Sequence, residues 1–163
     1  ILSKMHLDLA DNVCTIGAAS IGVEAAMAAP EGTIIAVEYS SSDRKTVEDN
    51  ANQFGLHNIT ILDSVTDENL ADLPVPGITM MVASASMEKE IECLLRRNPA
   101  MEFVIYTLDF QCAASLPAIL ERYGFEEVEV LQISVSKLNH KHNMVAEPAP
   151  WLISAFHPAP GQE

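Results

Sequence analysis

The sequence has few basic residues and no long hydrophobic run. Lysine and arginine number 9 against 23 aspartate and glutamate residues, which gives 163 residues a formal charge of −14. Such a charge repels phosphate backbones and anionic lipids, so we expect no nucleic-acid partner and no membrane association. No apolar stretch approaches the roughly 18 residues that span a bilayer. The amino terminus also lacks the basic and then apolar order of a secretory signal.

Cysteine is scarce as well. Cys14, Cys93 and Cys112 lie far apart in the chain, and none belongs to a CxxC pair of the kind that zinc and redox sites use. Reduced thiols, together with the missing secretory signal, predict a cytoplasmic protein. We expect no bound metal, because the pair His140 and His142 has no third ligand nearby in the sequence.

Segments with strand and helix character alternate along most of the chain. Short β-branched runs bounded by glycine, proline or serine predict strands, and apolar residues at helical spacing predict helices. This alternation predicts an α/β fold built on a mostly parallel sheet. The predicted strands are 12–18, 33–39, 59–64, 77–84, 102–109, 126–136 and 151–157, and the predicted helices are 20–29, 40–54, 68–73, 87–97 and 114–123.

The last third of the chain carries two more specific predictions. Pro117 is tolerated in a helix only near its start, so we place it in the first turn of the helix 114–123. A long strand, an irregular connection and a closing strand then predict an antiparallel hairpin at the edge of the sheet. We expect one domain over residues 1–157 and a flexible tail over 158–163. The first residue is Ile1 and not methionine, which suggests a processed chain or a domain excised from a longer protein.

The first strand and the turn after it are the predicted ligand site. In a doubly wound sheet, ligands bind beyond the carboxyl ends of the strands, where the strand order reverses. The turn Gly17–Gly22 fits this place, since glycine lets the backbone approach a nucleotide and adopt positive φ. Glu38 closes the second strand about 21 residues after Gly17, where a carboxylate can accept both hydroxyls of a ribose. A surface glutamate at a strand end is the alternative interpretation.

Three segments of the sequence resemble the decarboxylating precorrin methyltransferases of cobalamin biosynthesis. They are LSKMHLDLADNVCTIGAASIGVE at 2–24, AVEYSSSDRKTVEDNANQFGLHNITILDS at 36–64 and YGFEEVEVLQISVSK at 123–137. The resemblance covers nearly the whole chain. Enzymes of this family act on precorrin-6Y or its cobalt counterpart, either as a separate subunit or as the C-terminal half of a two-domain enzyme.

The resemblance implies a Rossmann-like class I methyltransferase fold with a seven-stranded sheet. It also implies S-adenosylmethionine as methyl donor, methylation of ring carbons C5 and C15, loss of CO2 from an acetate side chain, and a homo-oligomer of tetramer size. It names no catalytic base. The cofactor-binding positions that it implies are Thr15, Gly17, Ala18, Ala19, Glu38, Tyr39, Ser64, Val65 and Ala83.

The first and third loops depart from the pattern of the family. The first loop is two residues shorter than the family's and lacks its central glycines, and Thr15 replaces the leading aspartate. In the third loop, the family's adenine-binding aspartate is missing at Ser64 and Val65, where Asp63 or Asp67 could substitute. These losses leave a second interpretation open, a non-catalytic family member that serves as a scaffold or binding domain. A third is a methyltransferase for another small molecule, because this fold hosts many substrates.

A short basic segment, KLNHKH, stands out at 137–142 in this acidic chain. A precorrin is a polycarboxylate, and cations at the mouth of the crevice would offset the general repulsion. We therefore predict that Lys137, His140 and Lys141 contact the carboxylates of the substrate. A solvated loop with incidental basic residues is the alternative.

Overall fold

The computed structural model describes residues 1–156 and contains a central sheet with helices on both faces. Four of the parallel strands consist largely of buried residues, as expected for apolar runs covered on both sides. The strands are β1 (Val13–Ile16), β2 (Ile34–Val37), β3 (Ile59–Leu62), β4 (Ile78–Val82), β5 (Glu102–Thr107), β6 (Glu127–Gln132), β7 (Ser136–Leu138), β8 (Met144–Ala146) and β9 (Trp151–Phe156). The helices are α1 (Leu2–Met5), α2 (Ala19–Ala28), α3 (Ser41–Phe54), α4 (Asp67–Leu70), α5 (Met87–Arg97) and α6 (Phe110–Arg122).

The main sheet has seven strands in the order β3-β2-β1-β4-β5-β9-β6. Strands β1 to β5 run parallel, and β9 pairs antiparallel with β5 on one side and β6 on the other. This arrangement confirms the predicted fold class, including the antiparallel edge. The strand order reverses between β1 and β4, so the carboxyl ends of these two strands frame the crevice where doubly wound folds bind ligands.

Side chains alternate between two cores, one on each face of the sheet. Cys14 and Ile35 pack with residues of α4, α5 and α6. Val13 and Ile34, their neighbours in sequence, pack with residues of α1 and α2 on the other face. This period of two fixes the side of the crevice that each residue at a strand end faces.

Helix α2 lies unusually close to β1. A Cβ atom added at Gly22 would be 2.9 Å from Thr15 Oγ1. The buried Gly22 therefore allows the helix to pack directly on the strand, and this contact fixes the start of α2 at the crevice.

The structure corrects the prediction for Pro117. Helix α6 begins at Phe110 and not at Ala114, so Pro117 lies in its interior. The helix starts earlier because the carboxylate of Asp109 accepts hydrogen bonds from the backbone N–H groups of Gln111 and Cys112, at 2.7 Å and 3.1 Å. Tertiary packing of the buried face of α6 tolerates a residue that costs about 3 kcal/mol in a helix interior.

Two elements were not predicted from the sequence. One is the short helix α1, and the other is the hairpin β7–β8, which lies in the connection predicted to be irregular. The predicted strand 151–157 is observed as Trp151–Phe156. The predicted tail 158–163 lies outside the described residues, so it stays a prediction together with the domain boundary. No helix within residues 1–156 is both long enough and apolar enough to cross a membrane.

Candidate functional site

The turn from β1 to α2 contains only Gly17 and Ala18. Gly17 has a φ of 64°, in the left-handed region that favours glycine, and its N–H donates to the Val37 carbonyl at 2.9 Å. Ala18 is the N-cap of α2 and offers no side-chain cap. The two-residue turn therefore contacts the end of β2 at the carboxyl edge of the sheet.

A cavity of about 390 Å³ lies against this turn. Its size falls within the range of small-molecule sites, about 300 to 1,000 Å³. Larger hollows of about 590 Å³ and 620 Å³ border Asn58 and Lys4, at the opposite edge of the sheet. Of these three, the cavity at the turn combines strand carboxyl ends with a helix start, and its lining includes Gly17, Ala18, Ala19, Met80, Val82 and Tyr106.

Glu38 immediately follows β2 and is only 3% exposed. Burial raises the pKa of its carboxyl group, and a hydrogen bond from the Ala18 backbone acts in the opposite direction. Its Oε1 atom is buried without a hydrogen-bond partner in the part of the chain that the structure describes. The carboxylate is thus buried beside the β1–α2 turn, although Glu38 does not itself line the cavity of about 390 Å³. This burial contradicts the interpretation of Glu38 as an ordinary surface residue.

The side chain of Tyr39 extends from the end of β2 to α5. Its hydroxyl donates to Glu90 Oε1 on α5, which also accepts from the Ser86 hydroxyl at 2.7 Å. Glu90 is 4% exposed, and its Oε2 atom is buried without a partner among residues 1–156. Burial and, next, the hydrogen bond to Glu90 raise the pKa of Tyr39 far above its ordinary value, so the hydroxyl remains a donor.

Sequence reasoning did not identify Glu90. The signal was present, since Glu90 interrupts the apolar face of α5, where Met87, Ile91 and Leu94 are all buried. A charged residue on the buried face of an otherwise amphipathic helix needs partners from another element, and the structure provides them from β2 and the loop after β4.

Asp63 in the β3–α4 loop and Asp67 at the start of α4 are the two carboxylates near the missing aspartate, and both accept hydrogen bonds within the protein. Asp63 Oδ1 accepts from the Ser64 hydroxyl at 2.9 Å and from the Asn69 amide at 3.2 Å. Asp67 accepts from Arg96 and from the Cys93 thiol, and these two donors lower the pKa of its carboxyl group. Both carboxylates are exposed and hydrogen-bonded within the protein, and their substitution for the missing aspartate stays a prediction.

The other predicted cofactor positions lie in different surroundings. Val65 and Ala83 are half-buried and pack against the core on the α5 face. Thr15 is fully buried within β1 and turns its hydroxyl toward α2. The structure therefore brings together Gly17, Ala18, Ala19 and Glu38 at the β1–α2 turn. The Tyr39 side chain extends from the same end of β2 toward α5, and Thr15 lies beneath the turn.

The predicted substrate contacts lie on the β7–β8 hairpin and its turn. Lys137 forms an ion pair with Glu147 at 3.3 Å, and His140 and Lys141 are exposed in the turn. The hairpin continues from the edge where Gln132 pairs with Trp151. It thus extends from the same edge of the sheet as the crevice, beside β5, and none of the three basic residues borders the cavity at Gly17. Within residues 1–156, no cluster of three or more His, Cys, Asp or Glu side chains is arranged to hold a metal.

Comparison with known proteins extends the structural description. A family model described as a precorrin methyltransferase domain matches residues 8–147. The chain is similar in structure to the precorrin-6Y C5,15-methyltransferase of Geobacter metallireducens GS-15, with a TM-score of 0.86 and 27% identity over 96% of this chain and 85% of that chain.

Two further structures share the fold at lower identity. The precorrin 8W decarboxylase of Methanobacterium thermoautotrophicum has a TM-score of 0.73 and 18% identity over 90% of this chain and 81% of that chain. The C-terminal domain of the precorrin-6Y C5,15-methyltransferase of Rhodobacter capsulatus has a TM-score of 0.71 and 17% identity over 94% and 84%. Comparison with curated protein sequences gives no match.

The family match and the strand order agree with the resemblance found in the sequence. The matched residues run from the loop before β1 to the end of β8, so they include the β1–α2 turn, Glu38 and the β7–β8 hairpin. The chain belongs to the precorrin methyltransferase domain family.

Proposed function

We propose that this protein is an S-adenosylmethionine-dependent methyltransferase that methylates a precorrin of the precorrin-6Y type and removes CO2 from an acetate side chain. The observation that supports this most is the free Oε1 acceptor of Glu38, buried beside the Gly17–Ala18 turn. An orphaned carboxylate oxygen at this place fits the hydroxyl donors of a ribose.

The residues of the crevice fit an adenosyl group at three points. Gly17 has no side chain to obstruct the approach of a ligand, and an added Cβ would lie 3.6 Å from Val82 Cβ. Glu38 offers an acceptor for the sugar, and the aromatic ring of Tyr39, 49% exposed, offers a surface for the base. The departure in the β3–α4 loop removes one polar contact to the base and leaves these three in place.

Positioning explains how such a site can act without a named catalytic base. The cofactor, when bound, supplies an electrophilic methyl group. The task of the protein is then to hold an electron-rich ring carbon in line with that group at close range, which contributes much of the rate in such transfers. Glu38 and the Gly17 turn would fix the cofactor, and the apolar residues Met80, Val82 and Tyr106 along the cavity would exclude water.

The polycarboxylate substrate needs cations in a chain of net charge −14. We propose that Lys137, His140 and Lys141 contact its carboxylates from the hairpin. Lys137 would exchange its ion pair with the exposed Glu147 for one with the substrate. Exposed ion pairs contribute about 0 to 1 kcal/mol, so this exchange costs little.

Calorimetry with S-adenosylhomocysteine tests the cofactor site. We expect micromolar binding by the wild type and a loss of about 10- to 100-fold for Glu38→Ala, the range for a lost hydrogen bond to a charged group. The matched control is Glu31→Ala, which removes an exposed carboxylate at the opposite edge and should leave Kd unchanged. No heat from the wild type at high concentration would remove the enzymatic proposal.

That negative result would favour the second candidate, a non-catalytic family member. Two observations support it, the two-residue β1–α2 turn and the hydrogen bonds that Asp63 and Asp67 make within the protein. Given binding, mass spectrometry of a precorrin-6Y-type acceptor should show two methyl groups gained and one CO2 lost. Methylation of a different small molecule without this product would support the third interpretation instead.

A further inference from the structure

Glu90 is a buried carboxylate that the proposed cofactor contacts do not include. It lies in the first half of α5, it is 4% exposed, and its Oε1 atom accepts from two hydroxyl groups. Its Oε2 atom has no partner in the described part of the chain. Burying a carboxylate is costly unless other groups compensate for it, so the contacts that Glu90 makes need an explanation.

The two hydroxyl groups come from opposite flanks of the crevice. Tyr39 follows Glu38 at the end of β2, and Ser86 belongs to the loop after β4. In the sheet, β1 lies between these two strands. Glu90 therefore connects the flanks across the end of β1, beside the turn where the cofactor is proposed to bind.

The backbone at Tyr39 is fixed from the other side by α3. Arg44 Nη1 donates to the carbonyl oxygens of Glu38 and Tyr39, at 2.7 Å and 2.9 Å. The main chain is thus held by α3, and the end of the side chain is held by α5. Together these contacts leave the Tyr39 ring few orientations while it remains 49% exposed at the carboxyl end of β2.

We propose that Glu90 is a positioning residue for the adenosyl end of the cofactor and acts by fixing the Tyr39 ring. This inference rests on the proposed function, since it assigns the fixed ring to one wall of the adenine site. A planar base gains from packing against an aromatic face that is already oriented, because less side-chain freedom is lost on binding.

Helix α5 also carries a matched pair that serves as a control. The Tyr123 hydroxyl donates to Glu92 Oε1 at 3.0 Å, so it repeats the same chemistry on the same helix. Tyr123 follows α6, Glu92 is exposed, and neither residue borders the crevice. Removing this pair therefore alters a contact of α5 and the stability of the protein, but it leaves the Tyr39 ring unchanged.

The test compares the dissociation constants of S-adenosylhomocysteine and 5′-methylthioadenosine. For Tyr39→Phe and Glu90→Leu we expect losses of about 5- to 10-fold, equal for both ligands because they share the adenosyl part. The double variant should lose no more than either single variant, since the two residues form one contact. Glu90→Gln keeps a carbonyl acceptor for the Tyr39 hydroxyl and should bind within about twofold of the wild type. Tyr123→Phe and Glu92→Leu should leave both constants unchanged.

Different failures separate this inference from the proposed function. A wild type that binds neither ligand overturns both. A wild type that binds, with variants at Tyr39 and Glu90 that lose melting temperature but keep both constants, overturns the positioning role alone. A loss seen with S-adenosylhomocysteine but not with 5′-methylthioadenosine also overturns it, because the contact would then lie at the amino-acid end. Tyr39→Phe removes only one oxygen atom, so it provides a folded variant even if Glu90→Leu does not fold.

Discussion

At the scale of single residues, the site depends on buried carboxylates that the fold keeps despite their cost. Glu38 and Glu90 are each nearly inaccessible, and each has one oxygen without a partner among residues 1–156. Burying such an atom costs stability, and the Thr15 and Ser154 hydroxyl groups are buried without partners among the same residues as well. The two glutamates differ from them in carrying carboxyl groups. Sequence spacing predicted the place of Glu38 but not that of Glu90, because the partner of Glu90 is 51 residues away.

Glu38→Gln should stabilise the protein at neutral pH while weakening the cofactor. Burial raises the pKa of Glu38 above its ordinary value of 4.5, so the native state binds its proton more tightly than the unfolded state. The stability that this proton contributes is complete below pH 4.5 and is lost as the pH rises through the native pKa. At pH 7 we therefore expect a higher melting temperature for the variant than for the wild type.

Thermal unfolding of both proteins across this pH range measures the effect. The gain should vanish below pH 4.5, where the wild-type carboxyl is protonated as well. Glu31→Gln, at an exposed position, should show no such crossover. If the melting temperatures of Glu38→Gln and the wild type differ by the same amount at all pH values, the charge of Glu38 does not cause the difference.

At the scale of elements, prediction succeeded where burial alone decides the structure. Strands such as β2 are apolar runs covered on both faces, and their pattern is visible in one sequence. It failed for α6, whose start depends on the Asp109 cap, and for the β7–β8 hairpin, whose strands are exposed and carry no core-facing period. The predicted turn Gly17–Gly22 is observed as Gly17–Ala18, because α2 begins at Ala19. Its contact with Glu38 depends on sheet register, which spacing does not specify.

Gly22→Ala should destabilise the protein although alanine is the better helix former. The added Cβ would lie 2.9 Å from Thr15 Oγ1, so α2 would have to move away from β1. We expect a loss of about 1 to 3 kcal/mol in the free energy of unfolding, as for other overpacked cores. Chemical denaturation measures it, and Thr15→Ala in the same chain should recover most of the loss by removing the contacted oxygen. Equal instability of the single and double variants would refute the steric explanation.

At the scale of the whole molecule, the net charge opposes association between copies of the chain, and exposed apolar surface favours it. The net charge of −14 keeps copies of the chain apart. The β7–β8 hairpin, however, exposes Leu138 by 62% and Met144 by 65%, and these residues pair directly on one face. Such apolar side chains on a projecting element are typical of protein contact sites.

We predict that the protein is a homo-oligomer and that this hairpin contributes to the contact. Light scattering of the wild type should then give a mass above that of one chain, with a tetramer as the expected size. Leu138→Lys combined with Met144→Lys should reduce the mass without lowering the melting temperature, because both side chains are exposed. The control is Leu9→Lys, at an equally exposed leucine far from the hairpin in sequence. A monomeric wild type would contradict the prediction directly.

The pairing of β6 with β9 has a consequence for how such a chain can diversify. The last residue pair between these strands is Gln132 and Trp151, and the β7–β8 hairpin forms a separate sheet that does not pair with the seven strands. The arm between them can therefore be lengthened, shortened or exchanged while the seven-stranded sheet keeps its pairing, since loop length alters folding free energy only slowly. Changes in this arm alone would then give the same fold a different outer surface.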